Sequence, residues 1–399
     1  MTINNQPIIW SDSQNREMSP ALLDWYDQDM RLLPWRENTD PYRVWVSEIM
    51  LQQTQVVTVI PYFHRFLEWF PTIKDLAEAE EDRLLKAWEG LGYYSRVRNM
   101  QSAAKDIMVR FNGEMPSNIE DILSLKGIGP YTGGAIGSIS YKLVEPAIDG
   151  NVMRVYSRLF CLEDDIGEVK SRKIFDEKVR ETISQERPGD FNQALMDLGA
   201  TVCTPTSPKC EICPLKEFCG ALSRDQMTDY PVKKKKIKTV PMYYVALAIQ
   251  NELGEYLLSK RPSDGLLANM WTYPLLEVTK EAYFQIEKDW KNYQLDIKEP
   301  NLFDFVAEED LNLLDGSMMA LLKKEKPAVI WQKQPLGEVK HVFSHRKWHI
   351  LLAKGYKVAE KEFILDQNEY WVKEEDFDSF VFPKPQQKMV GLLDEKRNK

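Results

Sequence analysis

The sequence predicts a mainly α-helical first domain followed by an α+β second domain. Before about residue 230, apolar residues recur three and four positions apart, as in LLKAWEGLGYY, and Pro or Gly separates the segments. After it, segments such as MYYVALAIQN and HVFSHRKWHILLAKGYKV are rich in β-branched and aromatic residues at strand length. A chain of 399 residues is also too long for one ordinary domain.

A lysine run bracketed by prolines separates the two parts. Residues 231–241 read PVKKKKIKTVP, which is typical of a solvated interdomain linker. We therefore expect a helical domain over residues 1–230, a linker over 231–241 and a second domain over 242–390.

Composition limits how the chain can bind its partners. The formal net charge is −9, so any nucleic-acid binding must depend on local basic patches and backbone amides. The first residues lack a basic segment followed by an apolar run, and no stretch is apolar over the length of a membrane-spanning helix. We therefore expect a soluble, cytoplasmic protein with no membrane partner.

Four of the five cysteines fall in one short segment. They are Cys203, Cys210, Cys213 and Cys219, whereas Cys161 stands alone in an apolar stretch. A secreted disulfide framework would spread its cysteines through the chain, so a metal site is the better interpretation. Structural zinc usually takes two Cys-x-x-Cys pairs or adds histidines. Four thiolates in one loop favour a 4Fe-4S cluster and leave zinc as the alternative.

A Gly-x-Gly turn joins two helical segments of the first domain. It consists of Gly127 and Gly129 in LKGIGPYTGGA. Glycines let the backbone approach a phosphate closely, and the next helix start offers unpaired amides to an anion. An ordinary helical hairpin is the alternative that the turn by itself leaves open. About twenty residues later, Asp149 stands at the expected start of another helix.

Together these features resemble the helix-hairpin-helix DNA glycosylases that carry an iron-sulfur loop. The segments WVSEIMLQQTQ, GLGYYS and FNQALMDLG narrow the resemblance to MutY-type adenine DNA glycosylases, and HVFSH extends it into the second domain. The resemblance implies a monomeric enzyme of the bacterial nucleoid. It would bind double-stranded DNA and, after base flipping, remove adenine that lies opposite 8-oxoguanine or guanine.

Two carboxyl groups suit this reaction. Breaking a purine N-glycosidic bond requires a proton on the base and a negative charge near the cationic sugar. Glu48 lies among apolar residues, where burial favours the acid, and Asp149 lies at a helix start, where amide donors favour the ionised form. By the resemblance, Glu48 protonates adenine at N7, Asp149 stabilises or traps the sugar cation, and Asn151 orients the site. Without it, a surface or paired glutamate and a helix cap are the simpler interpretations.

Tyr131 stands where strand-cleaving members of the superfamily carry a lysine that attacks the sugar through a Schiff base. A phenol cannot form that bond. The resemblance therefore implies that Tyr131 lies at the sugar and that the enzyme has little or no lyase activity. A packing residue at a helix start is the alternative interpretation.

The resemblance also implies binding residues in the first domain. Arg31, Trp35 and Gln193 match residues that line the adenine pocket. Gln53 and Tyr93 match residues that wedge into the duplex beside the opposite base, where flipping leaves a gap.

The second domain resembles the start of a Nudix fold. Leu275 and Leu276 replace the usual paired glycines, however, and the acidic metal-binding helix motif is missing, so pyrophosphate hydrolysis is not expected. In the family, the loop that matches Phe343, Ser344 and His345 recognises 8-oxoguanine.

Two other functions remain open. An endonuclease III-like glycosylase and lyase for oxidised pyrimidines shares the cysteine loop and the hairpin, but Tyr131 and the second domain count against it. A non-catalytic iron-sulfur DNA-binding or redox sensor is the other. The combination of Glu48 and Asp149 counts against that function.

Overall fold

The computed structural model describes residues 10–234, 239–296, 318–332 and 334–397. The chain divides into two compact units, Met1–Lys236 and Ile237–Lys399. The division falls in the segment predicted as a linker, of which residues 235–238 lie outside the described residues. In the described ranges, no helix has both the length and the apolar character needed to cross a membrane.

The described part of the first unit is built from helices, as predicted. They are α1 (Asp12–Asp29), α2 (Pro41–Leu51), α3 (Val56–Trp69), α4 (Ile73–Glu78), α5 (Glu81–Ala87), α6 (Ser95–Arg110), α7 (Ile119–Ser124), α8 (Pro130–Tyr141), α9 (Gly150–Phe160), α10 (Ser171–Thr182), α11 (Pro188–Thr201) and α12 (Gly220–Ser223). Short 3-10 turns add Pro34–Arg36, Cys210–Ile212 and Lys216–Phe218.

One apolar core joins α1, α9, α10 and α11. The buried residues Val152, Tyr156 and Leu159 recur three and four positions apart, so they form one face of α9. Partly buried cysteines of the Cys203–Cys219 loop pack against the same core. This core therefore joins the helix that begins after Asp149 to the cysteine loop.

Helix α11 also connects this core to α8 and, through α8, to α2. Both α8 and α9 pack against α11, and α2 packs against α8. A Cβ atom at Gly134 of α8 would overlap the carbonyl oxygen of Pro146, so only glycine allows this approach. These helices thereby bring the end of α2, the start of α8 and the start of α9 to one place.

The second unit contains a mixed sheet with helices on both faces. Its strands are β1 (Val240–Gln250), β2 (Tyr256–Lys260), β3 (Trp271–Thr272), β4 (Leu275–Val278), β5 (Val329–Trp331), β6 (Gly337–Val342), β7 (Arg346–Lys357) and β8 (Glu369–Val372). Strands β1 and β7 pair in parallel, and the other pairs are antiparallel. The helices are α13 (Lys280–Asp296), α14 (Met318–Glu325) and α15 (Lys384–Arg397).

Alternation along β1 divides the second core into two. Tyr243, Val245 and Leu247 face a cluster that includes residues of α13 and α14. Tyr244 and Ala246 face the opposite cluster, which includes residues of α15. The α+β class predicted for this domain is therefore confirmed.

Candidate active site and cysteine loop

An open cavity forms where α2, α8, α9 and α11 meet. All seven first-domain residues predicted for the catalytic site and the adenine pocket line it: Arg31, Trp35, Glu48, Tyr131, Asp149, Asn151 and Gln193. They come from five separate segments of the chain, and only the tertiary fold brings them together.

Glu48 is a buried carboxyl group on α2, with 5% of its surface exposed. The Tyr131 hydroxyl donates a hydrogen bond to its Oε2 atom. Burial raises the pKa of Glu48 to about 7, and the charge of Asp149 adds to the rise, while the Tyr131 hydrogen bond and Arg36 oppose it. Near neutral pH the carboxyl group therefore exists in both forms, which is the condition for a general acid.

Tyr131 follows the proline that begins α8. Burial and the charges of Glu48 and Asp149 raise the pKa of its phenol well above the ordinary value. The phenol therefore remains a neutral hydrogen-bond donor. The hydrogen bond from Tyr131 to Glu48 is a contact that the sequence did not predict.

Asp149 caps the N-terminus of α9. Its Oδ1 atom accepts the Val152 backbone N–H at 2.8 Å, and its Oδ2 atom accepts the Asn151 side-chain N–H at 2.8 Å. The donors expected from the sequence are thus present, but the net pKa shift has the opposite sign. Burial raises the pKa of Asp149 above its ordinary value, although these hydrogen bonds and the charge of Arg154 lower it.

Asn151 is itself held by Arg154. The Nη2 atom of Arg154 donates to Asn151 Oδ1 at 2.8 Å and to the Gly199 carbonyl at 2.7 Å, and its Nε atom donates to the Cys203 carbonyl at 2.8 Å. Because Arg154 can only donate, the Asn151 carbonyl must face it, so the amide group must face Asp149.

Two residues at or behind the cavity were not predicted from the sequence. Arg36 lines the cavity, and the buried carboxylate of Asp197 binds both Arg36 and Arg31. Asp197 lies in the segment FNQALMDLG, where an acid among apolar helical positions signals a buried partner. That signal does not identify the partner, since Arg36 is 161 positions away.

Gln53 and Tyr93 lie outside the residues that line the cavity. Both adopt left-handed backbone conformations, with φ of 57° and 47°. The guanidinium of Arg96 joins their segments. Its Nη1 atom donates to three carbonyls at the end of α2 at 2.6–3.1 Å. Its Nη2 atom donates at 3.1 Å to two carbonyls in the turn before Tyr93. Arg96 thus fixes both segments, and it too was missed, although it directly follows the segment GLGYYS.

The two hairpin glycines differ in their surroundings. Gly127 has a φ of +84°, and a Cβ atom there would lie 2.8 Å from Asn99 Cβ, so the fold requires glycine. Gly129 has an ordinary φ of −96° and caps α8. Among the described residues, and leaving aside its neighbours along the chain and in its own helix, no atom lies within 4 Å of where its Cβ would stand, so the space before this helix start is open.

In the second unit, residues 343–345 form the turn between β6 and β7. The Phe343 ring packs edge-on against His341 at 4.6 Å and Trp348 at 5.0 Å between centroids. Ser344 and His345 are exposed. The aromatic contacts therefore anchor the loop while its other two side chains face outward.

The four clustered cysteines line one small cavity, together with Lys209 and Lys216. The buried Arg158 guanidinium donates to Cys203 Sγ at 3.2 Å, which would offset the negative charge of a metal-bound thiolate. Burial raises the pKa of Cys213 to about 12 and that of Cys219 to about 11, so metal binding must displace protons.

The donor set of this cavity fits a 4Fe-4S cluster. Among the described residues, no His, Cys, Asp or Glu side chains converge as the ligands of a single ion. A four-iron cluster instead takes each cysteine on a different iron atom, so its ligands need not converge. When bound, it would tie Cys203, Cys210, Cys213 and Cys219 into one loop.

Three family models match the chain. The model of the HhH-GPD superfamily base excision DNA repair proteins matches residues 46–181, and that of the NUDIX domain matches residues 244–392. The model of the iron-sulfur binding domain of endonuclease III matches residues 203–219. The predicted helix-hairpin-helix domain, Nudix-like domain and iron-sulfur loop are thereby confirmed, and zinc is the wrong alternative.

Several curated proteins are similar to the chain over most of its length. The adenine DNA glycosylase of Arabidopsis thaliana is 33% identical, over 84% of this chain and 56% of that protein. That of Mus musculus is 34% identical, over 82% of this chain and 68% of that protein. That of Buchnera aphidicola subsp. Schizaphis graminum is 37% identical, over 69% of this chain and 82% of that protein.

Proposed function

Because this chain belongs to the adenine DNA glycosylase family, we propose that it removes adenine from A:8-oxoguanine and A:guanine pairs in double-stranded DNA. The observation that carries the proposal is the grouping of Glu48, Tyr131 and Asp149 around one cavity. Two carboxyl groups in different surroundings supply the acid and the negative charge that hydrolysis of an N-glycosidic bond requires.

Glu48 is the general acid of this proposal. Its pKa of about 7 leaves a protonated fraction near neutral pH, whereas an ordinary glutamate would be almost fully ionised. The proton passes to N7 of the flipped adenine, so the base leaves as a neutral molecule while the C–N bond breaks. The reaction should slow as the pH rises above about 7 because this acid ionises.

Asp149 stabilises the sugar. As the bond breaks, positive charge develops on the sugar. The ionised Asp149 carboxylate, which Val152 and Asn151 orient through hydrogen bonds, compensates this charge or forms a covalent bond with the sugar carbon. Water then adds to the same carbon atom, breaks the bond to Asp149 if one has formed, and gives its proton to the ionised Glu48, which restores the acid.

The absence of an amine in the site supports a monofunctional enzyme. Among the described residues, those that line the cavity include Tyr131 but no lysine. Strand cleavage through a Schiff base needs an amine. We therefore propose little or no lyase activity.

Other segments account for recognition of the duplex. The open helix start at Gly129 suits a DNA phosphate, because Gly129 has no side chain to block the approach of an oxygen to the backbone amides at this helix start. Gln53 and Tyr93 fill the gap left by the flipped adenine, and the Phe343, Ser344 and His345 loop reads 8-oxoguanine. We expect the enzyme to act as a monomer on the bacterial nucleoid.

Single-turnover assays on three duplexes test this function. Adenine release from A:8-oxoguanine and A:guanine duplexes is expected, with none from a duplex that carries thymine glycol. Release of oxidised pyrimidine with strand cleavage would indicate an endonuclease III-like enzyme. Binding without release of any base would indicate a sensor. Borohydride should trap little covalent enzyme-DNA adduct, since that reaction requires a Schiff base.

A further inference from the structure

A buried carboxylate behind the cavity fixes two arginines. Asp197 is 1% exposed and lies on α11. Its oxygens accept two hydrogen bonds from the Arg36 guanidinium, at 2.7 and 2.9 Å. They accept two more from Arg31, at 2.7 Å from Nε and at 3.1 Å from the backbone N–H. Such a two-point pairing fixes a guanidinium in position and orientation.

Asp197, Arg31 and Arg36 form a cluster in which each charge stabilises the opposite one. Burial raises the pKa of Asp197, but the hydrogen bonds and charges of Arg36 and Arg31 outweigh it, so the pKa lies below the ordinary value. Asp197 is therefore ionised throughout the neutral range. Removing its charge would leave Arg36 buried without a carboxylate partner, which is costly.

Arg36 connects this cluster to the acid. The charged and titratable groups that act on Glu48 are Tyr131 from α8, Asp149 at the start of α9 and Arg36 from the turn after α1. Arg36 is the positively charged group among them, and it favours the ionised form of Glu48. The strength of that effect depends on how far Asp197 compensates the charge of Arg36.

We propose that Asp197 is a positioning residue for adenine release: it orients Arg36, compensates its charge and thereby sets the fraction of Glu48 that carries a proton. Asp197 does not line the cavity and acts only through Arg36 and Arg31. This inference rests on the proposed function, because it assigns Glu48 the role of the acid.

The Asp197→Asn variant tests the proposal, since it keeps the shape of the side chain and removes its charge. The single-turnover rate of adenine release is measured across about pH 5 to 9 on the A:8-oxoguanine duplex. Without compensation of Arg36, the alkaline midpoint should move down by about 0.5–1 unit. The variant should then be about three- to tenfold slower above about pH 8 and close to wild type at about pH 5.5. Duplex affinity should change less than about threefold, because Asp197 does not line the cavity and is not among the residues proposed to contact DNA.

A double variant and a control separate charge from damage to the fold. Adding Arg36→Gln to Asp197→Asn removes the uncompensated cation, so the midpoint should move back up. Asp27→Asn breaks a two-point pair of similar length with Arg187, at 2.6 and 2.9 Å, on the exposed surface outside the cavity. Its midpoint should not move.

Three outcomes would overturn the proposal: an unchanged midpoint in Asp197→Asn, an equal loss of rate at every pH, or no return in the double variant. Thermal unfolding and the visible absorbance of the iron-sulfur cluster, measured for every variant, show whether the fold is intact. Wild-type protein that releases no adenine would contradict the proposed function itself, which distinguishes the two failures.

Discussion

Glu48 takes its chemical character from its neighbours. Its side chain is buried on α2, and its pKa rises to about 7 because burial penalises the charge. Tyr131 and Arg36 limit that rise, so the carboxyl group is neither permanently protonated nor permanently ionised at neutral pH. The pKa of Asp149 is also raised, although Val152 and Asn151 donate hydrogen bonds to its carboxylate and Arg154 adds a positive charge nearby. Both carboxyls thus show that desolvation dominates this cavity.

Replacing Glu48 with Gln should separate chemistry from binding. Glutamine keeps the shape of the side chain but cannot deliver a proton, so adenine release should fall by about 10²- to 10⁴-fold. Affinity for the A:8-oxoguanine duplex should remain within about threefold of wild type. Rate and affinity are measured on the same duplex. A parallel loss of binding would indicate that Glu48 is structural.

We expect the free energy of unfolding of Glu48→Gln to depend less on pH than that of the wild type. The folded pKa of Glu48 is raised, so the folded protein retains a proton that the unfolded chain releases above its ordinary pKa. The contribution of Glu48 to the stability of the wild type should therefore fall as the pH rises from about 4.5 to 7. Glu48→Gln should lack this loss and have the higher free energy of unfolding at about pH 8. Urea unfolding of the wild type and the variant at about pH 4.5 and 8 measures this difference in free energy.

The position of Asp149 depends on how tightly α8 packs against the segment that leads into Asp149. Gly134 of α8 touches the backbone at Pro146, three residues before Asp149, and has no space for a Cβ atom. Gly137, one turn later, would meet only the flexible end of Leu143, at 3.2 Å. Backbone cannot move aside as a side chain can, so the two glycines have different consequences.

Gly134→Ala should therefore displace Asp149, whereas Gly137→Ala should not. We expect Gly134→Ala to lower the free energy of unfolding by about 1–3 kcal/mol and to reduce adenine release in the fraction that folds. The matched Gly137→Ala variant should change the stability by less than about 1 kcal/mol. Chemical denaturation and single-turnover rates provide both measurements. Equal effects of the two variants would contradict this account of the packing.

The two units divide the proposed work. The first unit holds the cavity, the hairpin and the iron-sulfur loop, and the second holds the loop of Phe343, Ser344 and His345. With a net charge of −9, the chain cannot bind DNA through overall charge. Lys209 and Lys216 beside the cysteine cavity are candidates for local phosphate contacts, and the iron-sulfur cluster would fix their loop.

Ser344→Ala should change the choice of substrate and leave the chemistry intact. The serine is exposed at the tip of the loop, and thermal unfolding of the variant measures whether its loss leaves the fold unchanged. If its hydroxyl binds 8-oxoguanine, the preference for A:8-oxoguanine over A:guanine should fall about fivefold, as the loss of roughly 1 kcal/mol implies. Release from the A:guanine duplex serves as the internal control. An unchanged preference would remove Ser344 from the recognition site.

The sequence by itself determined the helical and α+β classes of the two domains and the iron-sulfur cofactor, and it predicted seven of the residues that line the cavity. Those conclusions rest on local patterns: the spacing of four cysteines, apolar periodicity, and motifs whose residues match a known family. Only the tertiary structure paired Tyr131 with Glu48, 83 positions away, and Asp197 with Arg36, 161 positions away. It also reversed the expected direction of the Asp149 pKa. The physical reason is the same in each case, because burial and long-range contacts arise from packing between segments that no local pattern connects.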